Sequence, residues 1–265
     1  MLPPARPTLI YGDVRIDADA LQRAVDGFAA GLYQVGVRRG DRIALWLPNC
    51  PAWLIAHLAA IRLGAMTRAV NTRFKSAELE DILSRSGATV LRYWPCFLGI
   101  DCDAILADVH ADALSNLRSV IVYREDGADV PASVQSKTAF AYDQLVNTAI
   151  NADLPLGRPD DGCIMFTTSG TTGQPKLALH NQASVACHAD EIAPAFGYDQ
   201  SGTALLQALP LCGTFGHAQA MSALRAGGTL VLMPAFDLQQ ALKLIRQYKV
   251  TALNGAESLS EELWR

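Results

Sequence analysis

The chain has 265 residues, of which 50% are hydrophobic and 18% are charged, and its formal net charge is -4. A chain of this length and apolar content can bury a sizeable core, so we predict a soluble, globular protein with one large or two small domains. The slightly acidic balance argues against a surface that binds nucleic acid, for which a clustered basic excess is expected.

Neither secretion nor membrane insertion is indicated by the sequence. The N-terminal residues do not resemble a signal peptide, and the most apolar stretch, residues 52–66, contains His57 and Arg62 and is too short to span a bilayer. The six cysteines include no CxxC pair and no zinc-finger spacing. We therefore predict a cytoplasmic protein with reduced thiols, in which Cys163 and Cys187 are inert core residues.

Helical and extended patterns alternate along the chain. Leu21, Val25 and Phe28 recur at helical spacing and predict a helix over residues 18–36, and the nearly continuous apolar run 42–48 predicts a buried strand. Further predicted helices are 51–64, 76–87, a stretch within 103–117, 141–151, 181–196, 218–227, 238–249 and a last one from Glu257. Further predicted strands are 67–71, 88–93, 119–123, 163–167, 204–210, 229–234 and 250–254. This alternation predicts an α/β fold with largely parallel sheets and helices on both faces.

The stretch FTTSGTTGQPK, residues 166–176, follows a predicted buried strand and is predicted to precede a helix. In α/β sheets, ligands bind outside the carboxyl ends of strands. The two glycines allow backbone amides to approach a ligand, the hydroxyl groups add donors, and Lys176 adds a positive charge, so we interpret the stretch as a phosphate loop. Its spacing does not match the Walker pattern, which disfavours an NTP hydrolase. A Ser/Thr/Gly linker is the other reading of this composition.

TTSGTTGQPK resembles the signature phosphate loop of the adenylate-forming superfamily, which includes acyl-CoA synthetases, luciferases and peptide-synthetase adenylation domains. Residues 9–49, 57–83 and 209–237 also resemble that superfamily, and the resemblance runs from about residue 8 to the end of the chain. It implies the N-terminal part of the adenylate-forming fold. The motifs that members carry later, including the catalytic lysine of the small C-terminal domain, are not found in the sequence.

The resemblance implies roles for individual residues of the loop. The β- and γ-phosphates of ATP would be bound by Thr168, Ser169, Gly170, Thr171, Thr172, Gly173, Gln174, Pro175 and Lys176. Thr171 or Thr172 would help to place Mg²⁺. The implied reaction activates a carboxylic acid as an acyl-adenylate and then transfers the acyl group to coenzyme A.

The resemblance also places an acyl pocket after the strand at 204–210. Its candidate residues are Cys212, Gly213, Phe215, Gly216 and His217. Many members have an aromatic residue or histidine where this chain has Cys212 and Gly213, so the size of the acid is not indicated. A histidine near the start of an apolar helix is more often structural than a ligand contact, and His180 is interpreted as a surface residue at a helix start.

The resemblance further implies a division into lobes, with residues 1–40 and 203–265 in one lobe, residues 41–202 in the other, and no C-terminal domain. We therefore expect an acyl-CoA synthetase lineage that acts on fatty or aromatic acids, with impaired activity for these residues alone. The alternatives are an inactive fragment or pseudo-enzyme that binds nucleotide or serves as an interaction module, and an amino-acid adenylation domain.

Overall fold

A computed structural model describes residues 7–150, 154–168 and 176–255. The chain divides into two compact units, each formed by more than one segment of sequence. One unit comprises Met1–Arg23, Pro48–Trp53 and Ala183–Arg265, and the other comprises Ala24–Leu47 and Leu54–Gln182. The lobe boundaries implied by the resemblance stay a prediction.

The helices follow the predicted apolar spacing closely. The α-helices in the described ranges are α1 (Ala18–Gln34), α2 (Pro51–Arg62), α3 (Ser76–Ser86), α4 (Cys102–Ala107), α5 (Tyr142–Val146), α6 (Gln182–Ala195), α7 (Thr214–Arg225) and α8 (Leu238–Tyr248). A 3₁₀ helix spans Ala111–Leu114. Helix α8 begins where the Asp237 side chain accepts a hydrogen bond from the Gln240 amide at 2.7 Å, and its apolar side buries Ala241 and Leu244. None of the described helices is long and apolar enough to cross a membrane.

The strands are short, and several of them were not predicted. They are β1 (Leu9–Tyr11), β2 (Val14–Ile16), β3 (Arg42–Trp46), β4 (Met66–Ala69), β5 (Val90–Tyr93), β6 (Cys96–Phe97), β7 (Ile100–Asp101), β8 (Ser119–Val122), β9 (Ser133–Val134), β10 (Lys137–Ala141), β11 (Gly162–Thr168), β12 (Lys176–Asn181), β13 (Ala204–Gln207), β14 (Thr229–Leu232) and β15 (Ala252–Leu253).

The larger sheet in the described residues has the strand order β12-β11-β4-β3-β5-β8-β10-β9. Strands β11, β4, β3, β5, β8 and β10 are parallel to their neighbours in this run, and the two edge strands β12 and β9 are antiparallel. The inner strands are buried, as their continuous apolar runs predict. The core beside them includes Trp46, Leu79, Leu83, Leu91, Tyr93, Leu106 and Val120.

The second sheet has the strand order β15-β13-β14-β1-β2. All of its pairings are parallel except that between β1 and β2. Its apolar cluster joins Ile10, Leu206 and Val231 on three strands to Ala241 and Leu244 of α8. Together with the larger sheet, this arrangement confirms the prediction of a largely parallel α/β fold.

The strand that follows the phosphate loop was not predicted, whereas the helix predicted over residues 181–196 is present as α6. Residues Lys176–Asn181 form strand β12, which pairs antiparallel with β11, and helix α6 starts only at Gln182. The burial of β12 varies along the strand, with Leu179 exposed, so the six residues carry neither a helical stripe nor a continuous apolar run. The predicted helix over 141–151 is also shorter, since α5 ends at Val146.

Candidate active site

The candidate phosphate loop connects two adjacent antiparallel strands. Thr168, the last residue of β11, lies opposite Lys176, the first residue of β12, and the Thr168 hydroxyl donates to the Lys176 carbonyl oxygen at 3.5 Å. Ser169, Gly170, Thr171, Thr172, Gly173, Gln174 and Pro175 lie outside the described residues. We refer to β11, β12 and their connection as the phosphate hairpin.

The described strand ends of the phosphate hairpin, Thr168 and Lys176, which we call the hairpin tip, are accessible to a ligand. The side chains of Thr168 and Lys176 are both exposed, whereas residues 163–166 of β11 are buried. Because β11 is parallel to β4, its carboxyl end lies at the edge of the sheet where parallel strands gather ligand-binding groups. A hydroxyl donor and an ammonium group at this edge suit an anionic ligand such as phosphate.

Arg68 lies beneath the tip and was not identified from the sequence. Its side chain is completely buried, and its guanidinium donates to the Met165 carbonyl oxygen at 2.7 Å and to the hydroxyl oxygen of Thr167. An arginine within the strand predicted over residues 67–71 was the available signal, since charged residues are rarely fully buried without partners.

The root of the phosphate hairpin is closed by a buried histidine. His57 Nδ1 lies 2.9 Å from the Thr67 hydroxyl, and the Cys163 sulfur lies 4.0 Å from His57 Nε2. Burial lowers the pKa of His57 from 6.5 to about 4 and raises the pKa of the Cys163 thiol to about 12. Both groups are therefore neutral and structural at neutral pH, and the burial of Cys163 confirms its prediction as a core residue.

Two other sequence interpretations need correction. His180 does not lie at a helix start, because it belongs to strand β12, where its ring packs against Phe166 with centroids 5.9 Å apart. Cys187 is exposed on helix α6 rather than buried in a core, because it falls on the outer side of that helix.

The candidate acyl-pocket residues lie at the start of helix α7, in a segment we call the α7 approach (residues 207–217). Cys212 is half-buried, Gly213 is the N-cap residue, and the Phe215 side chain is 49% exposed. Gly216 and His217 are buried, and the His217 ring packs edge-on against Trp53 with centroids 6.1 Å apart. The structure thus brings all five candidates into one turn of chain, but with different exposures.

A buried asparagine organises the α7 approach. The Asn49 amide nitrogen lies 3.1, 3.0 and 3.1 Å from the carbonyl oxygens of Gln207, Leu209 and Met233, and the Leu211 amide donates to Asn49 Oδ1 at 2.7 Å. Side chains that bridge backbone groups in this way replace a regular ladder where the chain leaves a strand. The sequence gives no local signal for this role of Asn49, since its partners lie about 160 residues away.

Close backbone packing explains one of the candidate glycines. A Cβ atom at Gly216 would lie 2.3 Å from the Pro210 carbonyl oxygen, whereas one at Gly213 would lie 3.4 Å from the same atom. Gln207 adds a second clasp, because its amide donates to the carbonyl oxygens of Leu209 at 2.7 Å and Gly216 at 3.1 Å. Gly216 is therefore required by packing, and Gly213 is not.

Further along α7, a buried amide joins two connections of the same unit. Gln219 Oε1 accepts hydrogen bonds from the Tyr198 hydroxyl and, at 2.9 Å, from the Asn254 amide. Burial raises the pKa of the Tyr198 phenol, and the hydrogen bond with Asn254 opposes that rise. The network holds the turn after α6, which carries Tyr198, and the residue after β15, Asn254, against α7.

Comparison with protein families settles the lineage. The family described as AMP-binding enzyme matches residues 2–264. The chain belongs to the AMP-binding enzyme family. This confirms the resemblance that the phosphate loop and the flanking segments carried.

Several curated relatives of the chain are named as CoA ligases. The methyl-dioxo-octahydro-indenyl-propanoyl:CoA ligase of Mycobacterium tuberculosis is 33% identical over 98% of this chain, which covers 50% of that protein. The 4-coumarate-CoA ligase 1 of Narcissus pseudonarcissus is 29% identical over 92% of this chain and 41% of its own length. The chain thus spans about half the length of the curated relatives it matches.

Solved structures confirm the fold. The inhibitor-bound N-terminal domain of FACL13 from Mycobacterium tuberculosis superimposes with a TM-score of 0.81 at 25% identity, over 99% of this chain and 62% of that one. The o-succinylbenzoate CoA synthetase of Bacillus subtilis, solved with an acyl-adenylate, gives a TM-score of 0.78 at 23% identity, over 99% of this chain and 61% of that one. These matches identify the architecture as an N-terminal part of the adenylate-forming fold.

Proposed function

We propose that this chain provides the part of an acyl-CoA ligase that binds the phosphates of ATP. The observation that carries the proposal is the phosphate hairpin, in which the exposed Thr168 and Lys176 face each other at the carboxyl end of a buried strand. These two side chains, with the connecting residues 169–175, would hold the β- and γ-phosphates of ATP.

The proposed reaction has two steps. A carboxylate oxygen of the acid attacks the α-phosphorus of ATP, so that an acyl–phosphate bond forms and the bond to the β-phosphate breaks, releasing pyrophosphate. The sulfur of coenzyme A then attacks the acyl carbonyl, giving a thioester and AMP, and the thiol proton is lost to solvent. Lys176 would act in the first step by offsetting the charge that develops on pyrophosphate.

Magnesium would be held mainly by the nucleotide. The described residues contain no group of three or more His, Cys, Asp or Glu side chains that could hold a metal ion. This fits Mg²⁺, which commonly binds through substrate phosphates with few protein ligands. A hydroxyl of Thr171 or Thr172 would complete its shell, and the ion would neutralise charge on the phosphates.

The acid is proposed to be an aromatic, cyclic or fatty carboxylic acid. Two relatives are named as CoA ligases for 4-coumarate and for an indenyl-propanoyl group. Cys212, Gly213, Phe215, Gly216 and His217 are proposed as the wall of its pocket, with the exposed Phe215 ring as the apolar contact.

The test is pyrophosphate release by the full gene product with ATP, coenzyme A and a panel of aromatic and aliphatic acids. We expect release that depends on one class of acid, and Lys176→Ala should lower the rate about 100-fold. Lys243→Ala, at an exposed position on α8, is the matched control and should change nothing.

Two results would contradict the ligase proposal. Nucleotide binding without pyrophosphate release over the whole panel would favour a non-catalytic nucleotide-binding module. Release of inorganic phosphate without any acid would favour a hydrolase.

A further inference from the structure

We propose that Arg68 is a positioning residue for the triphosphate of ATP, acting through the end of strand β11; the inference rests on the proposed function. Arg68 is fully buried in β4, and its guanidinium binds the Met165 carbonyl oxygen and the Thr167 hydroxyl. Thr167 directly precedes Thr168, where the candidate phosphate loop begins.

The pairing of the strands explains what this side chain replaces. The ladder between β4 and β11 ends at the pair Arg68 and Met165, but β11 continues to Thr168. Beyond that pair, β11 is bonded only to β12 among the strands of the described residues. The guanidinium donates to the Met165 carbonyl oxygen within the last pair of this ladder and to the hydroxyl of Thr167 beyond it, so it links β4 to the part of β11 that the ladder does not reach.

Stability of the fold does not by itself explain an arginine at position 68. Burying a charged group carries a desolvation penalty, and apolar side chains of similar volume at such positions are often equally or more stabilising. The neighbours of Arg68 in β4, Thr67 and Ala69, are buried as well. A phosphate-binding role would explain the arginine. Its guanidinium orients the end of the strand that leads to the phosphate loop, and it adds positive charge near the bound anion.

A second buried arginine in the same sheet provides the contrast. Arg92 in β5 is also fully buried, but its guanidinium lies over aromatic rings, 4.1 Å from the Tyr142 centroid and 4.9 Å from that of Phe28. Arg92 thus has a packing role explained by cation–π contacts. Arg68 is held instead by groups at the end of the phosphate strand.

Affinity for three ligands separates positioning from general stability. ATP and inorganic tripolyphosphate carry the phosphates that the hairpin would hold, whereas AMP lacks the β- and γ-phosphates. We expect Arg68→Met to weaken ATP and tripolyphosphate binding about tenfold in calorimetry, the scale of one lost charge-assisted hydrogen bond, with AMP affinity within about twofold of the parent. Arg92→Met, with equal loss of a buried charge, should leave all three affinities unchanged.

Milder variants keep the test decisive if Arg68→Met does not fold. Thr167→Val removes the hydroxyl acceptor while preserving shape, and Arg68→Lys keeps the charge but not the two-pronged geometry. Both variants should weaken the affinity for ATP by about threefold and leave the affinity for AMP unchanged. An equal loss of AMP affinity, an equal effect of Arg92→Met, or no effect of either mild variant would overturn the role of Arg68.

Failure of the proposed function gives a different result. Affinities are measured without any acid, and acid-dependent pyrophosphate release is measured on the same samples. A parent protein that binds ATP but releases no pyrophosphate would contradict the ligase reaction while the role of Arg68 is still decided by the affinities.

Discussion

The phosphate hairpin and the α7 approach represent two ways of building a candidate site. At the hairpin tip, Thr168 and Lys176 project into solvent from the ends of two paired strands. In the α7 approach, the buried amide of Asn49 makes hydrogen bonds to the backbone, and the backbone packs so closely around Gly216 that a side chain would not fit there.

This difference predicts a separation between chemistry and stability. Exposed groups at the hairpin tip can be changed with little effect on folding, because few contacts are lost. Substitutions in the α7 approach should destabilise the fold, because removing a buried amide leaves its partners unsatisfied and adding a side chain at a close backbone contact causes a steric clash. Four substitutions test the separation.

The largest expected effect is that of Asn49→Ala. It leaves the carbonyl oxygens of Gln207, Leu209 and Met233 and the amide of Leu211 without this partner. We expect the free energy of unfolding, measured with urea, to fall by about 3 kcal/mol. Asn147→Ala removes an exposed amide as a control and should cost less than about 0.5 kcal/mol. Equal effects of the two would remove the contrast.

Gly216→Ala should have the second largest effect. The new methyl group would meet the Pro210 carbonyl oxygen at 2.3 Å, so α7 must shift, at a cost of about 2–3 kcal/mol. The matched variant Gly213→Ala meets the same oxygen at 3.4 Å, with backbone angles open to alanine, and should be nearly neutral. The comparison of urea midpoints checks this, and a neutral Gly216→Ala would show that the segment adapts freely.

The buried root of the phosphate hairpin should respond to pH. Because burial lowers the pKa of His57 to about 4, the unfolded chain binds more protons between pH 6.5 and 4. The contribution of neutral, buried His57 to the free energy of unfolding is fully present above pH 6.5 and is lost as the pH falls towards 4. The free energy of unfolding should drop by about 2 kcal/mol between pH 7 and pH 5 from this group.

Two histidine variants isolate that contribution. His57→Gln should flatten the pH dependence in urea titrations at pH 7 and pH 5, whereas His188→Gln, at an exposed position, should leave it as in the parent. A pH dependence that survives His57→Gln would assign it to other groups.

The smallest expected effect on stability is that of Lys176→Ala. The side chain is exposed at the hairpin tip, so the free energy of unfolding should change by less than about 0.5 kcal/mol, as for Lys243→Ala. ATP affinity should nevertheless fall, because the ammonium faces the proposed phosphate position. A destabilisation comparable to that of Asn49→Ala would mean that the hairpin tip is structural too.

The amino-acid sequence by itself determined the βα alternation, the α/β class and the candidate loop, because these depend on apolar periodicity and on residue types close together in the chain. It also led to the family, through ten consecutive residues at 167–176. The five candidates at 212–217 were found in the same way, as one short segment.

Only the tertiary structure decided which distant groups support these segments. Strand β12 exists because residues 176–181 pair with β11, and Arg68 and Asn49 gain their roles from partners about 97 and 160 residues away. Such contacts depend on the order of strands in a sheet and on the backbone groups left uncovered where a strand ends. Neither is encoded in local spacing. An arginine or asparagine within an apolar stretch of sequence therefore indicates an unusual buried position, but it does not indicate which groups will be its partners.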